Sequence, residues 1–135
     1  MDIQLRRLPN EPVAQTIRIG AHELVADASL AEGGSDAGPS PHDLYDAALG
    51  ACKALTVLLY AQRKGFPVEE VQTRIVRDDS QERAGTYRLK ARLEIRGSLT
   101  DEQLQELARV AGKCPVHKLM TTVVTEIETE VQRVA

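Results

Sequence analysis

Aromatic side chains are nearly absent from this chain: 135 residues hold no tryptophan, one phenylalanine and three tyrosines. That scarcity excludes the stacking platform on which single-stranded nucleic acids are bound. A concentrated basic face is missing too. Lys and Arg number 17 against 20 Asp and Glu, for a formal net charge of -3, and the basic residues are spread along the chain. Neither nucleic acid nor a membrane surface is therefore an expected partner. No apolar run approaches the roughly 18 residues needed to cross a bilayer, and the opening "MDIQLRRLPNEP" lacks the apolar stretch of a secretory signal. These absences predict a cytoplasmic protein, in a compartment where thiols are kept reduced. The glycines of "AEGGSDAGPSP" come without the lysine and spacing of a phosphate-binding loop.

Cysteine is the informative scarcity. There are two, Cys52 and Cys114, alongside three histidines. No C-x-x-C spacing is present. A reduced pair in such a compartment is more often buried, catalytic or redox-active than a structural disulfide.

What is present is an ordinary globular composition, 42% hydrophobic and 27% charged, of a length that predicts a single domain over 1–135. Such a chain buries roughly two-thirds of its unfolded surface and needs no metal or disulfide to form a core. The first third alternates as strands do. "IQLRRL" precedes a turn at "PNEP", and "VAQTIRIG" with "HELVAD" reads as a hairpin near Gly20, with Ile17, Ile19 and Leu24 inward. "ASLAEGGSDAGPSP" reads as an extended loop.

At "SPHDL" the period changes. Ser40 is a cap, Pro41 suits the first helical position, and Asp43 sits where the helix dipole favours a carboxylate. Leu44, Ala48, Cys52, Leu55 and Leu59 recur at helical steps and are expected to form the apolar stripe of a helix of about 24 residues, stopped by Gly65 and Pro67. Ala47, Ala48, Gly50 and Ala51 keep its middle slim, which suits close approach of another element.

Two strands follow across the turn "DDSQERAG", with Tyr87, Leu89, Ala91, Leu93 and Ile95 on one face. Thr100 and Asp101 are then capping candidates, with Gln103 at the capping-box position, for a helix whose apolar face is Leu104, Leu107 and Val110. "CPVHKLMT" reads as a short helix and "TVVTEIETEVQRV" as a final strand. Hairpins separated by helices predict an α+β fold with largely antiparallel sheets and a long central helix.

Each cysteine has a plain reading and a chemical one. Cys52, on an apolar stripe, has the setting of a small core hydrophobe. As a nucleophile it would need a cation from another segment or subunit. Cys114 immediately precedes Pro115 and falls at a helix N-cap, where free N–H groups and the dipole favour a thiolate, with Lys113 and His117 adding positive field. Together the two allow a redox cycle: one thiolate attacks an O–O bond and becomes a sulfenic acid, and the second condenses with it to a disulfide. An apolar surround favours an organic hydroperoxide over hydrogen peroxide. A zinc set of Cys114, His117, Cys52 and His42 and a Cys–His hydrolase with His117 as base are weaker patterns, without ligand spacing or an orienting third residue.

"GPSPHDLYDAALGACKALTVLLYAQRKGFPVEEV" followed by "KCPVHKLM" resembles the OsmC/Ohr family of osmotically inducible and organic hydroperoxide resistance proteins. The resemblance rests on P-x-x-L, then A-A-x-x-A-C on a long helix, and a second Cys before P-V-H some 60 residues on. It implies the OsmC-like fold and an intertwined homodimer with active sites at the subunit interface. It also implies a thiol-dependent peroxidase that needs no prosthetic group and is reset by an external dithiol. Cys52 becomes the peroxidatic cysteine and Cys114 the resolving one, which reverses what the local settings suggest.

In the Ohr branch an arginine of the N-terminal hairpin and a glutamate after the helix-opening proline serve the peroxidatic thiol. Here Arg18 in "IRIG" is the loose match to that arginine. His42 stands in place of the glutamate, with Asp43 one residue along, so the chain looks closer to OsmC-like members. A non-enzymatic binder of a small lipophilic molecule in the dimer cleft and a thiol redox sensor are the alternative readings.

Overall fold

A computed structural model describes all residues 1–135. The chain forms two compact units, Met1–Ala48 and Leu49–Ala135, the division falling inside the long helix.

The first unit begins with three antiparallel strands in chain order, β1 (Ile3–Arg7), β2 (Gln15–Ile19) and β3 (His22–Ala26). Its register places Leu5 opposite Ile17 and Ile17 opposite Leu24, so the apolar residues of the alternating pattern share a face. Ile17 is buried there, whereas Ile3 and Leu5 on β1 are exposed. The β2–β3 loop is two residues long, and Gly20 takes it with φ 60°, a left-handed turn position that favours glycine.

The segment expected to be a loop is one, and it is closed on itself. A single 3-10 turn covers Leu30–Glu32, capped by Ser29, and the chain then wraps the buried carboxylate of Asp27. Its Oδ1 accepts from Ala28 N at 2.7 Å, and Oδ2 from Ser35 N at 3.1 Å and Ala37 N at 3.0 Å. Asp27 N donates to Pro39 O at 3.0 Å. A carboxylate accepts several N–H groups at once, and that capacity closes the loop without secondary structure.

Helix α1 spans Pro41–Lys64, 24 residues as expected. Ser40 Oγ accepts from Asp43 N at 3.1 Å and Asp43 Oδ2 from Ser40 N at 3.0 Å, a reciprocal cap.

In the second unit, β4 (Val68–Asp78) and β5 (Arg88–Gly97) pair antiparallel with one bulge near Val68 and Glu70. Helix α2 (Asp101–Ala111) has the capping box expected of Thr100 and Gln103, and α3 (Pro115–Thr121) follows after a short break. The core of this unit is Val57, Ala61 and Leu107, surrounded by Tyr60, Phe66, Val68, Val71, Leu93, Ile95, Leu99 and Ala111. Gly50 lets α1 lie against β4: a Cβ there would fall 2.9 Å from Ile75 Cγ1.

Two expectations fail. The buried residues of α1 from residue 49 onward are Leu49, Gly50, Lys53, Val57 and Ala61, rather than the stripe of Ala48, Cys52, Leu55 and Leu59. Leu55, Leu58 and Leu59 are exposed. Both faces of this helix are apolar, so periodicity alone could not choose between them, and the slim face at Gly50 packs on the sheet. The expected final strand is also missing. Residues 124–135 carry no regular structure, and Val124, Ile127, Val131 and Val134 are each more than 80% exposed. A strand requires a neighbouring edge to satisfy its backbone groups, and none pairs with this segment. The α+β class with antiparallel sheets and one long helix holds.

Candidate thiol site

Both cysteines are free thiols in the second unit, Cys52 half-buried and Cys114 fully buried. Cys52 lies midway along α1, at the margin between the buried residues and the exposed leucines. Cys114 is the N-cap of α3, with extended backbone at φ -65° and ψ 145°. Its Sγ accepts from His117 N at 3.4 Å, as the Cys-Pro sequence suggests: proline supplies the first helical residue and the sulfur takes one of the orphaned N–H groups.

The residue beside Cys52 completes the arrangement. Lys53 is 6% exposed, and its Nζ donates to Ala111 O at 2.8 Å and contacts His117 Nδ1 at 3.0 Å. An ammonium has donors only, so Nδ1 is the accepting atom of this contact. Ala111 O is one of the terminal carbonyls of α2, the negative end of that helix, where a cation is favoured. The turn of α1 that carries Cys52 is thus tied by its next residue to both sides of the segment that carries Cys114.

Sequence reasoning missed Lys53. The signal was available as the one charged residue within "LGACKALTVLL", but an amphipathic reading assigns such a lysine to the solvent face. Of the other residues singled out, Arg18 lies exposed on β2, opposite Gln4 and Glu23 in register. Asp43 is used in capping α1, and His42 is exposed in its first turn. His117 is engaged by Lys53 and does not stand free as a base. No group of three or more His, Cys, Asp and Glu side chains converges as metal ligands.

By length and hydropathy alone α1 could span a bilayer, although Lys53 interrupts its apolar run. A core helix meets the same test, and a buried lysine bonded to α2 and α3 is a core feature.

Antiparallel sheets with one long helix, a thiol on that helix and a second at the cap of a short helix define a class, the OsmC-like α+β fold. Comparison with known proteins gives its family: the family model described as OsmC-like protein matches residues 33–130, and this chain belongs to the OsmC family.

Solved structures agree on the fold. The chain is similar to an OsmC-like protein from Mycoplasma pneumoniae, at 19% identity and a TM-score of 0.71 over 90% of this chain and 87% of that one. It is similar to an organic hydroperoxide resistance protein, OsmC, from Legionella pneumophila (17% identity, TM-score 0.60, 90% of each chain). It is likewise similar to the organic hydroperoxide resistance protein OhrB of Bacillus subtilis (20% identity, TM-score 0.57, 90% of each chain). No curated protein sequence matches it.

Proposed function

We propose that this protein is a thiol-dependent peroxidase that reduces organic hydroperoxides to alcohols. The observation that carries this reading is the pair of lone free thiols on two elements tied together by Lys53. The thiolate of Cys52 attacks the distal oxygen of ROOH, the O–O bond breaks, and the leaving alkoxide takes a proton to become the alcohol. Cys52 is left as a sulfenic acid. The Cys114 thiolate then attacks the Cys52 sulfur, the S–O bond breaks, and hydroxide leaves as water after protonation. An external dithiol reduces the disulfide and is itself oxidised to a disulfide. No prosthetic group enters either step. Arg18 is the residue that, by family resemblance, would serve the Cys52 thiolate.

A homodimer belongs to this proposal. It is supported by the exposed Leu55, Leu58 and Leu59 beside Cys52, an apolar face that a second copy would cover, and by the unpaired apolar residues of the C-terminal segment. An apolar wall at Cys52 also favours an organic substrate. The protein is proposed to work in the cytoplasm, where dithiol reductants maintain reduced thiols.

The test is consumption of cumene hydroperoxide with a dithiol, comparing wild type, Cys52→Ser and Cys114→Ser. Sustained turnover lost in Cys52→Ser, with Cys114→Ser reduced to a single oxidation, is the expected result. Equal, near-zero consumption by all three rejects the peroxidase. The exposed leucines would then favour a binder of lipophilic molecules, indifferent to Cys52→Ser.

A further inference from the structure

Lys53 is an expensive residue to bury, since an ammonium loses its hydration and must be repaid by well-placed acceptors. A methionine would fill the same space without that cost. What the lysine adds is reach and two directed bonds. Its acceptors, Ala111 O and His117 Nδ1, lie three residues before and three residues after Cys114, while its own backbone is the neighbour of Cys52. His117 contributes at both ends of its structure: its side chain meets Lys53, and its backbone N–H holds the Cys114 sulfur at 3.4 Å. The α2–α3 break is otherwise a junction between an 11-residue and a 7-residue helix, and a helix that short has little stability of its own.

We propose that Lys53 is a positioning residue that sets the placement of Cys114 relative to Cys52, and so governs how readily the two thiols form their disulfide. This deepens the peroxidase reading and rests on it for its biological meaning. Lys53 does not touch the peroxide in this proposal. It acts on the second step, in which the Cys114 thiolate displaces hydroxide from the Cys52 sulfenic acid, by holding the attacking sulfur's segment against the turn that carries the electrophile. Orientation of this kind converts directly into effective concentration.

The working bonds are hydrogen bonds to a carbonyl and a ring nitrogen, so a neutral donor of similar shape retains part of the effect. Lys53→Gln is therefore the conservative variant and Lys53→Met the disruptive one. His117→Ala removes one acceptor and leaves the other.

The experiment equilibrates the full-length protein with glutathione redox buffers and measures the fraction of Cys52–Cys114 disulfide. Alongside, it measures the rate of disulfide formation after one equivalent of cumene hydroperoxide, with dimedone to trap sulfenic acid. In Lys53→Met that remains folded by circular dichroism, the disulfide's equilibrium constant is expected to fall about tenfold or more. Dimedone-trapped Cys52 is expected to accumulate while its initial oxidation rate is unchanged. Lys53→Gln recovers much of the loss, and His117→Ala lies between.

A folded Lys53→Met with the wild-type equilibrium and rate overturns the proposal, even if its Tm has fallen, because the lysine is then only a cap for α2. If Lys53→Met does not fold, His117→Ala decides by the same readout. Failure of the wild type to form the disulfide in any glutathione buffer also overturns it. A wild type that forms the disulfide in glutathione but is not oxidised by cumene hydroperoxide rejects the peroxidase reading alone. The Lys53 comparison then still stands on the equilibrium data.

Discussion

Asp27 shows how one side chain can order a segment with almost no secondary structure. The N–H of Ala37, followed by those of Ala28 and Ser35, holds its carboxyl below the ordinary value of 3.8 against the opposing effect of desolvation. Between the folded and unfolded pKa values the unfolded chain binds more protons, so stability rises with pH through that window. The contribution is complete above the unfolded value and is lost as pH falls through the lower folded one. Asp27→Asn turns one acceptor oxygen into a donor facing N–H groups, and we expect its Tm to lie several degrees below wild type at neutral pH. That gap should shrink in thermal melts as pH falls below 3.8. A gap that stays constant with pH would mean that the charge is not what closes the loop. Gly34 belongs to the same clasp, since a Cβ there would lie 2.8 Å from Asp27 Oδ1 and closer still to Ala28 O. Thr73 is the reverse case, a buried hydroxyl with no hydrogen-bond partner, on the face of β4 that meets Gly50. Thr73→Val keeps the shape and removes the stranded oxygen, and should stabilise by about 1 kcal/mol in urea melts.

Among the elements, α2 was the most legible. Its capping box was readable from Thr100 and Gln103 because that signal is local: one side chain, one backbone N–H, three residues apart. Its apolar face was readable less finely, since Leu107 is fully buried whereas Leu104 is 46% exposed. Leu107→Ala should cost about 2–5 kcal/mol and Leu104→Ala much less, measured by urea denaturation; similar losses at both positions would show that the face is covered in solution. Helix α1 was legible in its ends and illegible in its orientation. Ser40, Pro41, Gly65 and Pro67 act through backbone geometry within a few residues, but which side packs depends on the partner it meets. The small Gly50 permits contact with Ile75, and Lys53 can follow inward only because Ala111 O and His117 Nδ1 wait for it.

For the molecule as a whole, the exposed apolar residues of α1 and of the C-terminal segment set the expectation. Large apolar patches are uncommon on monomeric soluble proteins, and the proposed dimer would cover these side chains. We expect a dimer in sedimentation, and Leu59→Glu to dissociate it, because a desolvated carboxylate on an apolar contact is strongly unfavourable. A wild type that sediments as a monomer at all concentrations would remove the dimer from the proposed function. Removing residues 124–135 should weaken association as well, if those side chains are covered by a second copy.

The sequence by itself determined the class of fold, the limits of α1, the caps, and the place of Cys114 at a helix start. Each depends on interactions spanning a few residues or on a regular period. It also carried the family resemblance, because the A-A-x-x-A-C and C-P-V-H stretches stand intact around Cys52 and Cys114. Only the tertiary structure decided that the leucine face of α1 is left open, that the C-terminal segment has no strand partner within the chain, and that Lys53 reaches the segment of Cys114. Those outcomes depend on residues far apart in the chain meeting in space, about 60 positions for Lys53 and its acceptors, and the free energy that selects them is absent from any local window of the chain.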